Sequence, residues 1–122
     1  MGDPELLVML AAEAGRRTPA IIDGLEALAG SGEKDPGRIE ELRVEAHGLK
    51  GAALVVGQDR LAELAKQIEQ FLSASVDTGQ IQPGAAAALI AGASAFNEGA
   101  QAAAEGIPEP SSVADSLAAL PE

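Results

Sequence analysis

Apolar residues return every three or four positions in four separate blocks of this chain, the spacing of one helical face. In the first block Leu7, Leu10, Ala14, Ile21, Leu25 and Leu28 share a side, which predicts a helix from about Pro4 to Ala29. Pro19 lies inside it. A proline there removes one hydrogen bond and crowds the carbonyl of Gly15, so a kink or break is expected near Gly15–Thr18. The second block, Ile39, Leu42, Ala46, Leu49 and Ala53, predicts a helix from Pro36 to about Val56. The third, Leu61, Leu64, Ala65, Ile68, Phe71 and Leu72, predicts one from about Arg60 to Ser73. The fourth, Leu89, Ile90, Ala93, Phe96 and Ala100, predicts one from Pro83 to about Glu105.

The punctuation between blocks agrees. Asp3-Pro4, Asp35-Pro36 and Gln82-Pro83 place proline where a first helical turn accepts it, and the two aspartates can cap free N–H groups. Gly30-Ser31-Gly32 and Gly57 read as stops, and Asp59 as the cap of the third helix. The expected architecture is all-α, an antiparallel four-helix bundle over residues 1–105 with short connections. Residues 106–122 change character. Ile107-Pro108-Glu109-Pro110 resembles a linker, and Ser112–Leu120 can form one short helix with Val113, Leu117 and Leu120 together. Partial disorder of this tail is expected.

Composition narrows the picture. The chain has 122 residues, the size of one domain. Aromatics are only 2%, so alanine, leucine and isoleucine must fill the interior, which favours closely approaching helices. There is no cysteine, which removes disulfides and thiolate metal sites. The formal net charge is -11, a field that disfavours nucleic acid and anionic membrane surfaces as partners. No apolar run approaches the length of a membrane span. The opening Met1-Gly2-Asp3-Pro4-Glu5 carries acid where a signal peptide needs base, and Leu6 stands where a myristoylation signal wants Ser or Thr. A cytoplasmic location is expected.

The candidate chemistry lies on the second helix. His47 is the single histidine, and its spacing places it on one stripe with Lys50, Gly51 and Leu54, beside the apolar seam. A nucleophile, a cation and a gap in the side-chain cover, all on one face, suit a phosphoryl group. Arg43 and Lys66 are candidates for a local basic patch around it, set against a bland reading of scattered surface charge. Leu54 and Val55 are read either as core or as exposed contact surface beside the histidine.

His47-Gly48-Leu49-Lys50-Gly51, followed by Gly57 and the Leu61-Ala62-Glu63-Leu64-Ala65 helix, resembles the histidine phosphotransfer (HPt) domain of bacterial two-component phosphorelays. The resemblance covers about Leu6 to Ala103. It implies that His47 carries the phosphoryl group on the ring nitrogen distal to the backbone. It implies that Lys50 offsets phosphoryl charge and that Gly51 leaves room for a partner's active site. Glu69 matches the position where the family often has Glu or Gln accepting a hydrogen bond from the other ring nitrogen. Two residues depart from the family's pattern: Gly48 stands where a larger residue is usual, and Pro19 interrupts the first helix.

The chemistry is consistent with elementary requirements. A histidine accepts a phosphoryl group through a neutral ring nitrogen, and a carboxylate on the other nitrogen fixes that tautomer. Phosphoryl transfer needs positioning and charge stabilisation above all. There is no Walker-type glycine loop and no convincing metal-ligand pattern. The expected function is a phosphoryl carrier without autonomous kinase or ATPase activity and without a cofactor, with Mg²⁺ on the partner. The partners implied are a response-regulator receiver domain and a sensor or hybrid histidine kinase, with the chain acting as a monomer. Two competing readings are a non-covalent helical adaptor with an incidental histidine, and an HPt module cut from a larger hybrid or chemotaxis kinase. Acid-labile label on His47 separates a relay from an adaptor.

Overall fold

The computed structural model describes residues 3–120. The outermost residues of the expected domain and tail, 1–2 and 121–122, lie outside the described residues. Five helices form among the described residues and no strand does: α1 (Pro4–Ser31), α2 (Pro36–Val55), α3 (Asp59–Ser75), α4 (Pro83–Glu105) and α5 (Ser111–Ala119). The first four form a ring in which α1 touches α2 and α4, and α3 touches α2 and α4. Contacts between neighbours rise along one helix as they fall along the next. Gly24 meets Leu42 while Arg17 meets Glu45, and Gln101 near the end of α4 donates to the Ala11 carbonyl near the start of α1. Neighbouring helices are therefore antiparallel.

Local chemistry sets the helix ends. The Asp3 carboxylate accepts from the Glu5 N–H at 2.8 Å, and Asp35 accepts from the Arg38 N–H at 3.0 Å. Each satisfies a donor that the first helical turn leaves free. Gly57 ends α2 with φ of 72°, a left-handed value that a side chain would strain. The next N–H, of Gln58, then reaches back to the Ala53 carbonyl at 2.9 Å. Asp59 does not cap α3: it lies inside the first turn, and Gln58 holds the cap position without a side-chain bond. The helix starts one residue earlier than expected, which makes Asp59 its first residue and an acid of its first turn.

Pro19 does not break α1, which runs as one helix from Pro4 to Ser31. Its neighbours explain the tolerance. Thr18 is buried, and its hydroxyl donates to the Ala14 carbonyl at 2.7 Å. Ala14, Ile21 and Leu25 are fully buried on either side of the proline, so packing holds both halves in one continuous helix.

The core is apolar and built mainly from small and branched residues. Ile39, Leu42, Ala46, Leu49 and Ala53 form the buried face of α2, as their spacing predicts. Phe96 on α4 is the largest fully buried side chain. The other ring, Phe71, is only partly buried. Glycines on α4 set how closely the helices approach. A Cβ added at Gly99 would stand 2.6 Å from Leu61 of α3 and 3.0 Å from Val113 of α5.

The tail departs from the expected disorder. Residues Ser111–Ala119 form α5, which packs on α3 and α4. Val113 is fully buried and Leu120 nearly so, and Arg60 on α3 holds Glu109 at 2.8 Å. The three apolar residues reach a surface that the first four helices leave uncovered. Val113→Ala is expected to destabilise the whole domain by about 2 kcal/mol. Urea unfolding followed by circular dichroism checks this; an unchanged midpoint would show that α5 adds nothing to the cooperative unit.

Candidate functional site

The α2–α3 pair carries the site. The periodic apolar stripe of α2 faces inward, which turns the next stripe outward. Val44, His47, Gly51 and Leu54 follow one another along it, one turn apart. His47 stands on this stripe with its side chain 62% exposed, far from the buried end of the range. From α3, Glu69 rises to meet it, and only 13% of the glutamate side chain is exposed.

Glu69 binds three cationic or protic groups of α2. Its Oε2 lies 2.8 Å from His47 Nδ1 and its Oε1 2.7 Å from Lys50 Nζ. Arg43 Nη1 donates to Oε2 at 3.4 Å, while the same guanidinium donates from Nε and Nη2 to Glu40. Burial pushes the Glu69 carboxyl up, but hydrogen bonds from Lys50 and His47, with their charges, hold it below the ordinary value of 4.5. An ionised carboxylate only accepts hydrogen bonds, so Nδ1 must carry the proton. In the neutral ring Nε2 then presents its lone pair. Among the described residues no protein group bonds Nε2, and the imidazole that carries it is mostly exposed.

Clearance around the ring is uneven. A Cβ added at Gly51 would meet nothing within 4 Å, so the surface beside His47 is open there. Gly48 is different, because the guanidinium of Arg17 from α1 fills the space beside it. Leu54 and Val55 are 56% and 73% exposed, which settles them as surface and not as core. Val55 borders Met9 of α1, whereas Leu54 lies on the α3 side beside Lys50, Ala62 and Lys66; Val8 and Val44 are exposed as well.

Each residue singled out from the sequence finds a definite place. His47, Lys50 and Glu69 come together, and Gly51 borders the opening. Lys66 does not bond Glu69: its Nζ lies 3.8 Å from Glu63, and it borders the same shallow groove as Lys50 and Leu54. Arg43 does join, through Glu69, so the cationic patch is largely neutralised by acids of its own. Arg43 stands four residues before His47, a spacing that marks a shared face. Its attachment to Glu69 has no signal in the sequence. Among the described residues no cluster of three or more His, Cys, Asp or Glu side chains could hold a metal ion. Among the described residues no helix is long and apolar enough to cross a membrane.

No curated protein matches the chain. A family model, the Hpt domain, matches residues 5–106, a span that contains His47, Lys50, Gly51, Glu69 and nearly all of α1 to α4. A helical chain with an outward, carboxylate-oriented histidine, matched over most of its length, belongs to the Hpt domain family.

Proposed function

We propose that this protein relays a phosphoryl group through His47 Nε2 between an aspartyl-phosphate receiver domain, or a sensor or hybrid kinase, and a second receiver. One observation carries the reading: the bond from His47 Nδ1 to Glu69 at 2.8 Å leaves the exposed Nε2 as the nucleophile. In the forward step the Nε2 lone pair attacks phosphorus, an N–P bond forms, and the P–O bond to the donor's aspartate breaks. The aspartate leaves as a carboxylate. No proton moves at Nε2, and Nδ1 keeps its own. The phosphorylated ring is then cationic, and the Glu69 carboxylate beside it offsets that charge. The return step reverses the bonds: a receiver carboxylate attacks phosphorus and the N–P bond breaks.

Lys50 sits one turn from His47 with its ammonium on Glu69. A phosphoryl group on Nε2 competes for that ammonium, because it carries more charge than the carboxylate. Gly51 keeps the approach clear for the partner, and the exposed Leu54 and Val55 give it apolar surface to rest on. Every site residue comes from one chain, so a monomer suffices. The carrier does not itself hydrolyse ATP. The Mg²⁺ and the remaining catalytic groups belong to the partner, and the relay works in the cytoplasm where its partners present their receivers.

The test is incubation with a phosphorylated receiver domain followed by mapping of the modified residue. Acid-labile phosphate on His47 is the expected result, and a chain that stays unlabelled with every donor would favour an adaptor. Two variants separate chemistry from docking. Lys50→Ala should slow transfer about tenfold with partner affinity nearly unchanged. Gly51→Gln fills the open space and should weaken affinity about tenfold while leaving the saturated rate near that of the parent. Stopped-flow transfer and titration calorimetry read the two effects; normal transfer by Lys50→Ala would remove its assigned role.

A further inference from the structure

Gly48 follows His47 directly, and Gly51 lies one turn on, so two glycines interrupt the helical turn that presents the nucleophile. A mid-helix glycine favours the helix less than alanine by a factor of about five. The two glycines have different surroundings. The space beside Gly51 is empty, as an approaching partner requires. The space beside Gly48 holds the Arg17 side chain, with Cζ, Nη1 and Nε at 2.5, 2.6 and 2.9 Å from where a Cβ would stand. Three atoms of one planar group at nearly equal distances mean that the guanidinium lies flat against the helix. Only a glycine lets it come so close.

The guanidinium is also fixed at both ends. Its Nε donates to Glu13 of α1 at 2.9 Å, and its Nη1 donates to Glu45 of α2 at 2.6 Å. Glu45 lies two residues before His47 and three before Gly48. Arg17 therefore ties α1 to the very turn of α2 that the glycines loosen, and it does so with a group that is only 27% exposed. Arg16 also reaches Glu13, which helps hold that carboxylate in place. From the opposite side, α3 grips the imidazole through Glu69.

We propose that Arg17 is a positioning residue of the relay site: seated on Gly48 and anchored to Glu13 and Glu45, it restrains the turn that carries His47. This rests on His47 being the phosphoryl carrier. Transfer demands that Nε2 meet phosphorus in line, and small misplacements of a reacting group cost rate steeply. The ring is oriented by Glu69, but Glu69 does not hold the backbone beneath the ring. Arg17 supplies that restraint from α1. Its charge is spent on two carboxylates of its own chain, so it acts on the turn and not on the partner.

The test compares the parent, Arg17→Ala and the pair Arg17→Ala with Gly48→Ala. Two quantities are read: amide hydrogen exchange at residues 47–52, and phosphoryl transfer from a phospho-receiver over a range of receiver concentrations. Arg17→Ala should speed exchange in that turn about fivefold, with the rest of the core unchanged. It should slow saturated transfer by a similar factor and leave the half-saturating receiver concentration near the parent value. Adding Gly48→Ala puts an alanine where the guanidinium no longer sits. The turn stiffens, and both exchange and transfer should return towards the parent. A partner-contacting arginine would not be rescued in this way, since no contact is restored. Unchanged exchange and transfer in Arg17→Ala, or a pair as slow as the single variant, would overturn the proposal. If the parent takes no phosphoryl group on His47, the relay reading fails, and the exchange arm still decides whether Arg17 restrains the turn.

Discussion

His47→Gln should give a folded bundle that accepts no phosphoryl group from any donor. The chain has a single histidine, so no second imidazole can take its place. The side chain is 62% exposed, and its removal opens no cavity. Glutamine is a good helix former, and its amide can still donate to Glu69. The stability change should lie within about 0.5 kcal/mol. Transfer should fall below detection, because an amide nitrogen has no lone pair free to attack phosphorus. Thermal melts and labelling from a phospho-receiver, with an acid-quenched control, check both halves. Label retained by this variant would place the acceptor elsewhere and remove the basis of the relay reading.

Glu69→Ala should slow transfer by about 10- to 100-fold while the partner still binds. Without the carboxylate nothing holds the proton on Nδ1, and a share of the rings would carry it on Nε2, where it blocks attack. The cationic phosphorylated ring also loses its counter-charge. Glu69→Gln should do less damage, since an amide oxygen can still accept from Nδ1. Ring nitrogen chemical shifts report the tautomer directly, and an unchanged Nδ1–H population in Glu69→Ala would refute the orienting role. The same residue contributes to stability with a defined sign. Its folded carboxyl titrates below the ordinary 4.5. A depressed carboxylate stabilises the fold fully above its unfolded value, and the contribution is lost as pH falls through the folded one. The difference in unfolding free energy between the parent and Glu69→Gln should therefore be steady near neutral pH. It should shrink only in acid, below 4.5.

Much of this was legible in the chain. Helical period, prolines at first turns and glycines at stops are local signals, and a helix end or a buried face is settled within a few residues. The α2 face is the clearest case: all five residues of its apolar stripe are buried, and the stripe beside it carries His47 outward. The motif around His47 is local for the same reason, since His47, Lys50 and Gly51 share a face once the helix forms.

What spacing along the chain could not decide was anything that depends on two helices meeting; only the family resemblance pointed to Glu69 as the partner of His47. The pairing of Glu69 with His47 spans 22 residues and depends on the register of α3 against α2, which no local period encodes. The same holds for Arg43 on Glu69 and for Arg17 on Gly48, where the arginine belongs to α1 and the gap to α2. Pro19 reads locally as a helix breaker, yet the packing of Ala14, Ile21 and Leu25 keeps α1 whole. The tail reads as a proline-rich linker with a marginal helix, too short to be stable alone. It becomes α5 because Val113 and Leu120 find an apolar surface already formed by α3 and α4. The sequence by itself determined the helices, their inward faces and the face on which the candidate histidine stands, because those follow from spacing along one chain segment. Only the tertiary structure decided how that residue is oriented and braced, because those contacts join segments whose relative placement is fixed by the shared core.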